Sequence, residues 1–185
     1  LHGASVTVDF PTINLLGGCT AQTFALAFPA EVIGTGFLAR LLLIHSDPTG
    51  KMIEWPELED PLQKAEMILL LKDIREKIKG EANFIQESRE LLLEIRKNCI
   101  LIDDSRFSHY QTRRHVHLMK LAMIIAACEL SMTIKPIHIL RANTMLVSAE
   151  KHMPKALGEF GKNKNSEVAN DILSFLNKRD TPVNM

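Results

Sequence analysis

A single arginine, Arg40, stands directly before the apolar run at 41–44. A guanidinium at the edge of a buried strand must be solvated, paired with a carboxylate or turned toward another subunit, because burying an unpaired charge is costly. Arginine also binds phosphate through two parallel hydrogen bonds. Arg40 is therefore a candidate for contact with an anionic phosphate, and a solvated or salt-bridged arginine is the alternative.

A second group of basic side chains lies around the start of a long apolar stretch. It comprises Arg106, Arg113, Arg114 and Lys120, with His115 nearby. On a helix, cations at these positions would form a basic face that could contact phosphates. The alternative for each of them taken alone is a solvated or salt-bridged side chain.

The motifs that hold nucleotides or metals in many enzymes are missing from the sequence. There is neither a GxxxxGK[ST] phosphate loop nor a GxGxxG turn, and the nearest string, at 47–52, lacks the first glycine and the hydroxyl residue. HExxH and GxSxG are absent as well. Asp103 and Asp104 precede a predicted helix, which favours helix capping over acid–base catalysis. The chain alone therefore cannot form a complete P-loop cradle.

The composition bounds the class of protein and its compartment. The 185 residues carry 22 basic and 22 acidic side chains, which excludes nucleic-acid binding by bulk charge. Aromatic residues make up only 5%, so aliphatic side chains must fill the core and helices are favoured. Three cysteines without CxxC spacing predict neither disulfides nor a zinc site and indicate a reducing, cytoplasmic compartment. No apolar run approaches the roughly 18 residues of a membrane span, so we expect no membrane partner.

Two short apolar runs near the start of the chain predict β-strands. One lies at 12–16 and the other at 41–44, and turn residues bound both. Continuous apolar runs of this length are typical of strands that are buried on both faces of a parallel sheet. The residues between them, 20–40, are long enough for a crossover with helical pieces. We therefore expect the tail of an α/β sheet here, with its other strands upstream of Leu1.

From Pro61 onward the apolar spacing changes to that of helices. We predict helices at 61–80, 84–98, 105–130, 136–154 and 166–177. The stretch at 118–128 is apolar almost all round, which places the third helix at the centre of a bundle. The apolar stripes of the other four are, in order, Leu62, Ala65, Ile68 and Leu69; Leu91, Leu92 and Ile95; Ile137, Leu140, Ala142 and Met145; and Val168, Ile172, Phe175 and Leu176.

Residues 12–47 resemble the last two core strands of P-loop ATPases of the helicase-like kind, in the order strand, polar residue, short helix, arginine, strand. The first strand would end in the sensor residue, for which Thr20 and Gln22 are the candidates, and Arg40 would lead into the final strand. Residues 104–142 are similar to the helical region after that core in phage and plasmid replication proteins, often primase–helicase fusions. Residues 165–185 resemble the entry to a winged-helix module.

The resemblance implies a mainly α fold, in which a helical bundle follows a short C-terminal remnant of a RecA-like or AAA-like α/β core with two strands. It divides the chain into the end of the ATPase core at 1–58, a lid-like helical bundle at 59–161, and the start of a winged helix or a linker at 162–185. The phosphate loop and the acidic Mg²⁺ strand of that family are missing from the sequence. We therefore expect ATP and Mg²⁺ only in a full-length parent, and neither activity nor a cofactor in this chain alone.

The function implied is that of a helicase-like replication motor that acts on single-stranded DNA. Arg40 would be the catalytic arginine supplied to a neighbouring subunit, which requires a homo-oligomer such as a ring. Thr20 would orient water or the γ-phosphate through a hydrogen bond. Arg113 or Arg114 would bind the nucleotide and move the helical bundle against the core.

Two other classes of function stay open. The chain could be a stand-alone helical DNA- or protein-binding module of a phage or mobile element, in which Arg106 and Lys120, together with Arg113 and Arg114, would contact nucleic-acid phosphates. It could also belong to a phage packaging or structural protein, because packaging motors share the ATPase core. A coding segment upstream with a phosphate loop would favour the motor, whereas independent folding and salt-dependent DNA binding would favour the module.

Overall fold

Helices make up most of the protein in a computed structural model that describes residues 12–29, 32, 36–48, 50, 52–55 and 60–158. The described strands are two residues long each. The helices and strands of the described residues are α1 (Ala21–Ala27), α2 (Pro61–Lys77), β1 (Asn83–Phe84), α3 (Gln86–Lys97), α4 (Ser108–Cys128), β2 (Thr133–Ile134), α5 (Pro136–Glu150) and α6 (Met153–Leu157). Among the described residues, short 3-10 turns lie at Leu38–Arg40 and Ser105–Phe107. The mainly helical fold is confirmed.

Residues favoured at helix starts set where two of the long helices begin. Asp60 caps α2, with its Oδ1 accepting a hydrogen bond from the backbone N–H of Leu62 at 2.9 Å, and Pro61 fills the first turn. Pro136 begins α5 in the same way. Asp104 caps the 3-10 turn before α4 rather than the helix itself, so α4 begins three residues later than predicted. α5 ends at Glu150, and Pro154 lies in the first turn of α6.

The two strands are parallel neighbours, and each leads directly into a helix. Asn83 pairs with Thr133 and Phe84 with Ile134, so α3 and α5 begin at the same end of the two-stranded sheet. The hydroxyl of Ser88, on α3, is fully buried and donates to the carbonyl of Ile134 at 2.7 Å. This hydrogen bond joins the two strand–helix units.

The inner core lies where α4 packs on α5. The buried alanines Ala122, Ala126 and Ala142 allow these helices to approach closely, since a methyl group takes little space at a helix contact. Larger side chains fill the rest, and α3 covers this core with its half-buried stripe Leu91, Leu92 and Ile95, as predicted. The larger buried side chains of this cluster are Leu118, Ile134, Ile139 and Leu146.

A second apolar cluster joins the N-terminal part of the chain to the bundle. Phe24, on α1, and Leu38 pack with Phe107 and Tyr110 at the start of α4 and with the apolar side of α6. Residues from both sides of the predicted boundary at 58 thus share one core. The predicted domain boundaries themselves stay a prediction.

The predicted strands at 12–16 and 41–44 are wrong, because the structure has no strand in either run. Ile13, Leu15 and Leu16 are 89%, 71% and 100% exposed. Leu41 and the next two leucines instead lie half-buried against the second cluster, without a strand partner. An apolar run becomes a strand only when neighbouring strands take up its backbone hydrogen bonds, and the described part of the chain offers none here.

The buried faces of three helices also differ from the predictions. No residue of α2 is buried, although five successive apolar residues at 67–71 lie around the whole helix. α4 buries only one side, and Met123 and Ile124 on its other side are exposed. In α5 only Ala142 of the predicted stripe is buried; Ile137, Leu140 and Met145 are exposed.

Two further points bound the architecture. None of the described helices combines the length and the apolar character that crossing a bilayer demands. The predicted helix at 166–177 and the predicted winged-helix entry at 165–185 lie outside the described residues.

Candidate functional site

A groove runs between α3 and α5, and the loop at 98–103 forms one of its walls. Its volume is about 700 Å³, within the range of about 300–1,000 Å³ that ligand pockets occupy. Apolar side chains make up most of the lining: Leu91, Ile95, Ile100, Leu101, Ile102, Val147 and Pro154. The charged lining residues are Glu94, Asp103, Arg114, Glu150 and Lys151. An apolar surface with a few polar groups is typical of sites that bind another molecule or a peptide segment.

A buried hydrogen-bond network lies at the inner side of this groove. Arg114 on α4 donates from Nε to Glu150 Oε1 at 2.7 Å and from Nη2 to Asn143 Oδ1 at 3.0 Å. Tyr110, one turn before Arg114, donates its hydroxyl to the same Glu150 oxygen at 2.9 Å. The side chains of Arg114 and Glu150 are only 7% and 9% exposed. The network therefore fixes α4 against the end of α5 through a buried ion pair.

Two features of Arg114 leave it able to act on a ligand. It lines the main groove and also a smaller cavity of about 190 Å³ beside α3. Its Nη1 has no hydrogen-bond partner among the described residues. A guanidinium held by Glu150 and Asn143 is fixed in place, so this remaining donor is preorganised for an oxygen acceptor in the groove.

Tyr110 acts only as a hydrogen-bond donor in this network. Burial raises the pKa of its hydroxyl far above the ordinary value, and the Glu150 carboxylate raises that pKa further. The hydroxyl thus stays protonated throughout the physiological pH range. The ring of Tyr110 stacks on His117, with the ring centroids 5.2 Å apart.

His117 joins α4 to the N-terminal 3-10 turn. Its Nε2 donates to the carbonyl of Ala39 at 2.9 Å, which requires the tautomer with the proton on Nε2. Burial lowers the pKa of His117, and the hydrogen bond to Ala39 opposes that shift only in part. The imidazole is therefore neutral at pH 7. This contact holds the turn that precedes Leu41 against α4.

The two residues predicted for nucleotide chemistry in the N-terminal part lie on the surface. Arg40 is exposed at the end of the 3-10 turn, and its Nη1 donates to the carbonyl of Gly36 at 2.7 Å. Thr20 is the N-cap of α1, where its Oγ1 accepts from the backbone N–H of Thr23 at 3.1 Å. Thr20 thus has a local structural role. Neither residue is among those that line the groove.

The four basic residues predicted around α4 divide into two pairs. Arg113 and Lys120 are exposed, whereas Arg114 is buried in the network above. Arg106 is 8% exposed, and the Asp104 carboxylate accepts hydrogen bonds from its Nε at 3.0 Å and its Nη2 at 2.6 Å. Its Nη1 donates to the carbonyl of Gly158 at 2.8 Å. One continuous basic face is therefore not formed, because two of its four members point inward and pair with carboxylates.

The residues that complete the network were missed at the sequence level. Asn143 and Glu150 are seven residues apart, two turns of one helix, so they share a face of α5. Tyr110 and Arg114 are four residues apart and share a face of α4. These spacings place each pair on a helix face, but only the packing of α4 on α5 brings the two faces together.

Neither a metal centre nor a known relative assigns a chemistry to these groups. Within the described ranges, no three His, Cys, Asp or Glu side chains are placed to hold a metal ion. No protein-family model matches the chain, and no curated protein and no solved structure matches it either. The arrangement itself offers a fixed hydrogen-bond donor in an apolar groove and an exposed arginine on a turn that His117 holds in place.

Proposed function

We propose that this chain is the helical part of an ATP-driven DNA-replication motor, and that it works in a homo-oligomer by packing against neighbouring protein segments. The observation that carries the proposal is the exposure of Arg40 on a turn that is itself anchored to the bundle. The sequence resemblance to helicase-like P-loop ATPases supports the same role for Arg40. In that role Arg40 would stabilise the negative charge of a phosphoryl group in transfer on a neighbouring subunit.

The geometry around Arg40 suits a residue that reaches outward. Its guanidinium uses Nη1 for the Gly36 carbonyl, and the described residues offer no carboxylate partner to it. The turn that carries it is held by the Ala39 carbonyl, which accepts from His117. The backbone at Arg40 is thus held in place, while its guanidinium keeps N–H donors that no described residue uses. An arginine that acts on a neighbouring subunit requires both.

The exposed apolar segment at 12–19 supports an association with further protein. Ile13, Leu15 and Leu16 lie almost fully in solvent, where apolar side chains are unfavourable. Additional strands of a RecA-like core would cover them and would let this segment and the extended residues after Arg40 join a sheet. The proposal therefore includes a RecA-like remnant that forms a sheet only together with those additional strands.

The residues present do not fit a complete ATP·Mg²⁺ site. The sequence lacks a phosphate loop, and the described residues hold no carboxylate cluster for Mg²⁺. In the proposed motor other segments would hold the nucleotide. This chain would contribute Arg40, with Arg113 as an exposed cation on the helical part.

A second candidate function is that of a helical protein-binding module, and the groove between α3 and α5 favours it. Protein rather than DNA is the better partner for this module. Arg106 and Arg114 are paired with carboxylates and buried, so only Arg113 and Lys120 of the predicted basic face remain available to DNA phosphates.

The test of the motor uses the whole polypeptide in which this chain occurs, with ATP hydrolysis measured with and without single-stranded DNA. Arg40→Ala is expected to lower turnover by about 10³-fold or more while the oligomer stays intact. Arg75→Ala, which changes an exposed arginine on α2, should leave turnover unchanged. Unchanged turnover in Arg40→Ala would contradict the role of Arg40 as an arginine that acts on a neighbouring subunit. Absence of ATP hydrolysis by the whole polypeptide would contradict the motor proposal.

A further inference from the structure

The groove between α3 and α5 holds a hydrogen-bond donor that the described residues do not use. Nη1 of Arg114 has no hydrogen-bond partner among them, while Nε and Nη2 donate to Glu150 and Asn143. In the described part of the chain, every buried side-chain nitrogen or oxygen atom has a hydrogen-bond partner. Nη1 therefore reaches solvent, and Arg114 lines the groove. Its two N–H groups are available to an acceptor that enters the groove.

The guanidinium of Arg114 is fixed in place before any ligand binds. Glu150 and Asn143 hold it at 2.7 Å and 3.0 Å, and only 7% of its side chain is exposed. A donor that is already ordered loses little conformational entropy on binding. Because so little of Arg114 is exposed, a narrow chain end can reach Nη1, whereas the broad surface of a folded partner cannot.

The walls beside Arg114 are apolar. Ile95 and Leu101 line both the groove and the smaller cavity that Arg114 also borders, and Leu91 and Val147 extend the apolar lining of the groove. The groove volume of about 700 Å³ is that of a pocket for a small molecule. A ligand in the groove would therefore bury a hydrocarbon part against these walls.

The charges around the groove favour a neutral ligand over an anion. At the inner side, Glu150 already balances the charge of Arg114. The other charged lining residues, Glu94, Asp103 and Lys151, are exposed, and they leave one carboxylate in excess. An entering carboxylate would meet this negative charge and would lose its own hydration. A carbonyl oxygen accepts the same hydrogen bonds without carrying a charge.

We propose that the groove binds a small, neutral, mainly apolar molecule that carries a carbonyl oxygen, such as a fatty amide. The carbonyl oxygen accepts from Nη1 of Arg114, and the hydrocarbon part packs against Ile95, Leu101 and Val147. The hydrogen bond selects the functional group, and the apolar walls supply most of the affinity. This inference rests on the groove alone and does not depend on the role of Arg40.

Octanamide serves as the probe, and Cys99 reports its binding in the intact protein. Cys99 lines the groove and the smaller cavity, whereas Cys19 and Cys128 are exposed and line neither. The rate of alkylation by iodoacetamide is measured at each cysteine by peptide mass spectrometry. A ligand of about ten non-hydrogen atoms reaches a Kd of about 1 mM. We therefore expect about 5 mM octanamide to slow the alkylation of Cys99 about six-fold, with Cys19 and Cys128 unchanged.

A matched ligand and matched variants test the groove and the functional group separately. Octanoate, with a carboxylate in place of the amide, should bind about ten-fold more weakly at pH 7 and slow Cys99 alkylation less than about two-fold. Val147→Glu charges a wall of the groove and should abolish the slowing by octanamide. Met145→Glu, at an α5 residue of similar exposure that does not line the groove, should preserve it.

Arg114→Lys tests the proposed donor itself. The lysine keeps a positive charge beside Glu150 but lacks Nη1, so the slowing by octanamide should fall below about two-fold. Circular dichroism checks that this variant folds, and Val147→Glu decides the matter if it does not.

Three results would overturn the proposal. One is a Cys99 rate in the original chain that octanamide does not change. Another is equal slowing by octanamide and octanoate, since the groove would then not select a neutral acceptor. The third is slowing that persists undiminished in Val147→Glu or in folded Arg114→Lys, since the ligand would then lie elsewhere or bind without Nη1.

Discussion

At the scale of single residues, Arg114 is buried whereas its sequence neighbour Arg113 is exposed, although the two look alike in the sequence. Arg113 and Arg114 are consecutive, so a helix must point them about 100° apart, and only one can face α5. The sequence does not reveal which of them faces α5, because the choice depends on Glu150 and Asn143 of another helix. The pairing leaves Arg113 as the exposed cation of the two.

Removing the buried partner of Arg114 should be strongly destabilising. Glu150→Gln leaves the guanidinium buried beside a neutral amide, and we expect a loss of about 3–5 kcal/mol in the free energy of unfolding, measured by urea denaturation. Asp73→Asn breaks the solvent-exposed pair with Lys77 and should cost less than about 1 kcal/mol. Equal effects of the two changes would contradict the buried network.

The ionisation of the chain's single tyrosine offers a pH test. Because the pKa of Tyr110 is raised in the folded state, the folded chain binds the phenolic proton more tightly than the unfolded chain does. Its contribution to stability is therefore complete below the unfolded pKa of about 10 and is lost as the pH rises above it. Absorbance at 295 nm should show no phenolate near pH 10 until the chain unfolds; titration near pH 10 in the folded chain would refute the burial.

For His117 we predict that stability is lost at acidic pH, in contrast to the loss at alkaline pH expected for Tyr110. Its pKa is lowered in the folded state, so the unfolded chain binds its proton more readily. The stabilising contribution is present above the unfolded pKa of about 6.5 and is lost as the pH falls below it. Urea midpoints at pH 7.5 and 5.5 should differ more for the original chain than for His117→Gln. An equal difference in both proteins would show that His117 carries no such linkage.

At the scale of elements, the helices could be predicted from the sequence and their buried faces only in part. Pro61 and Pro136 mark two helix starts because a proline suits the first turn in any context. The exposed stripe of α2 and the absent strands at 12–16 and 41–44 have a common cause. Each is apolar enough for burial, but burial needs a partner surface, which local spacing does not specify.

A matched pair of leucines tests this distinction between apolar and buried. Leu146 on α5 is fully buried, whereas Leu69 on α2 is 62% exposed. Leu146→Ala should cost about 2–5 kcal/mol in the free energy of unfolding, because it leaves a cavity in the inner core. Leu69→Ala should change it by no more than about 0.5 kcal/mol. A cost at Leu69 as large as that at Leu146 would show that α2 is covered in solution.

At the scale of the whole molecule, the described residues form two buried apolar clusters and also expose many large apolar side chains. The inner core between α4 and α5 and the second cluster at the start of α4 are both closed. Much of α2 and the segment at 12–19 is instead exposed and apolar. The groove beside α3 could not be predicted from the sequence either, because its walls come from elements far apart in the chain.

The central claim, that Arg40 acts on a neighbouring subunit, is tested most directly by mixing subunits. Whole polypeptides that carry Arg40→Ala are mixed with unchanged ones in known ratios, and ATP turnover of the mixed oligomers is measured against the fraction of variant. If each arginine serves its neighbour's site in a coupled assembly, turnover falls more steeply than the fraction of unchanged subunits. Turnover that stays constant at every ratio would contradict the claim.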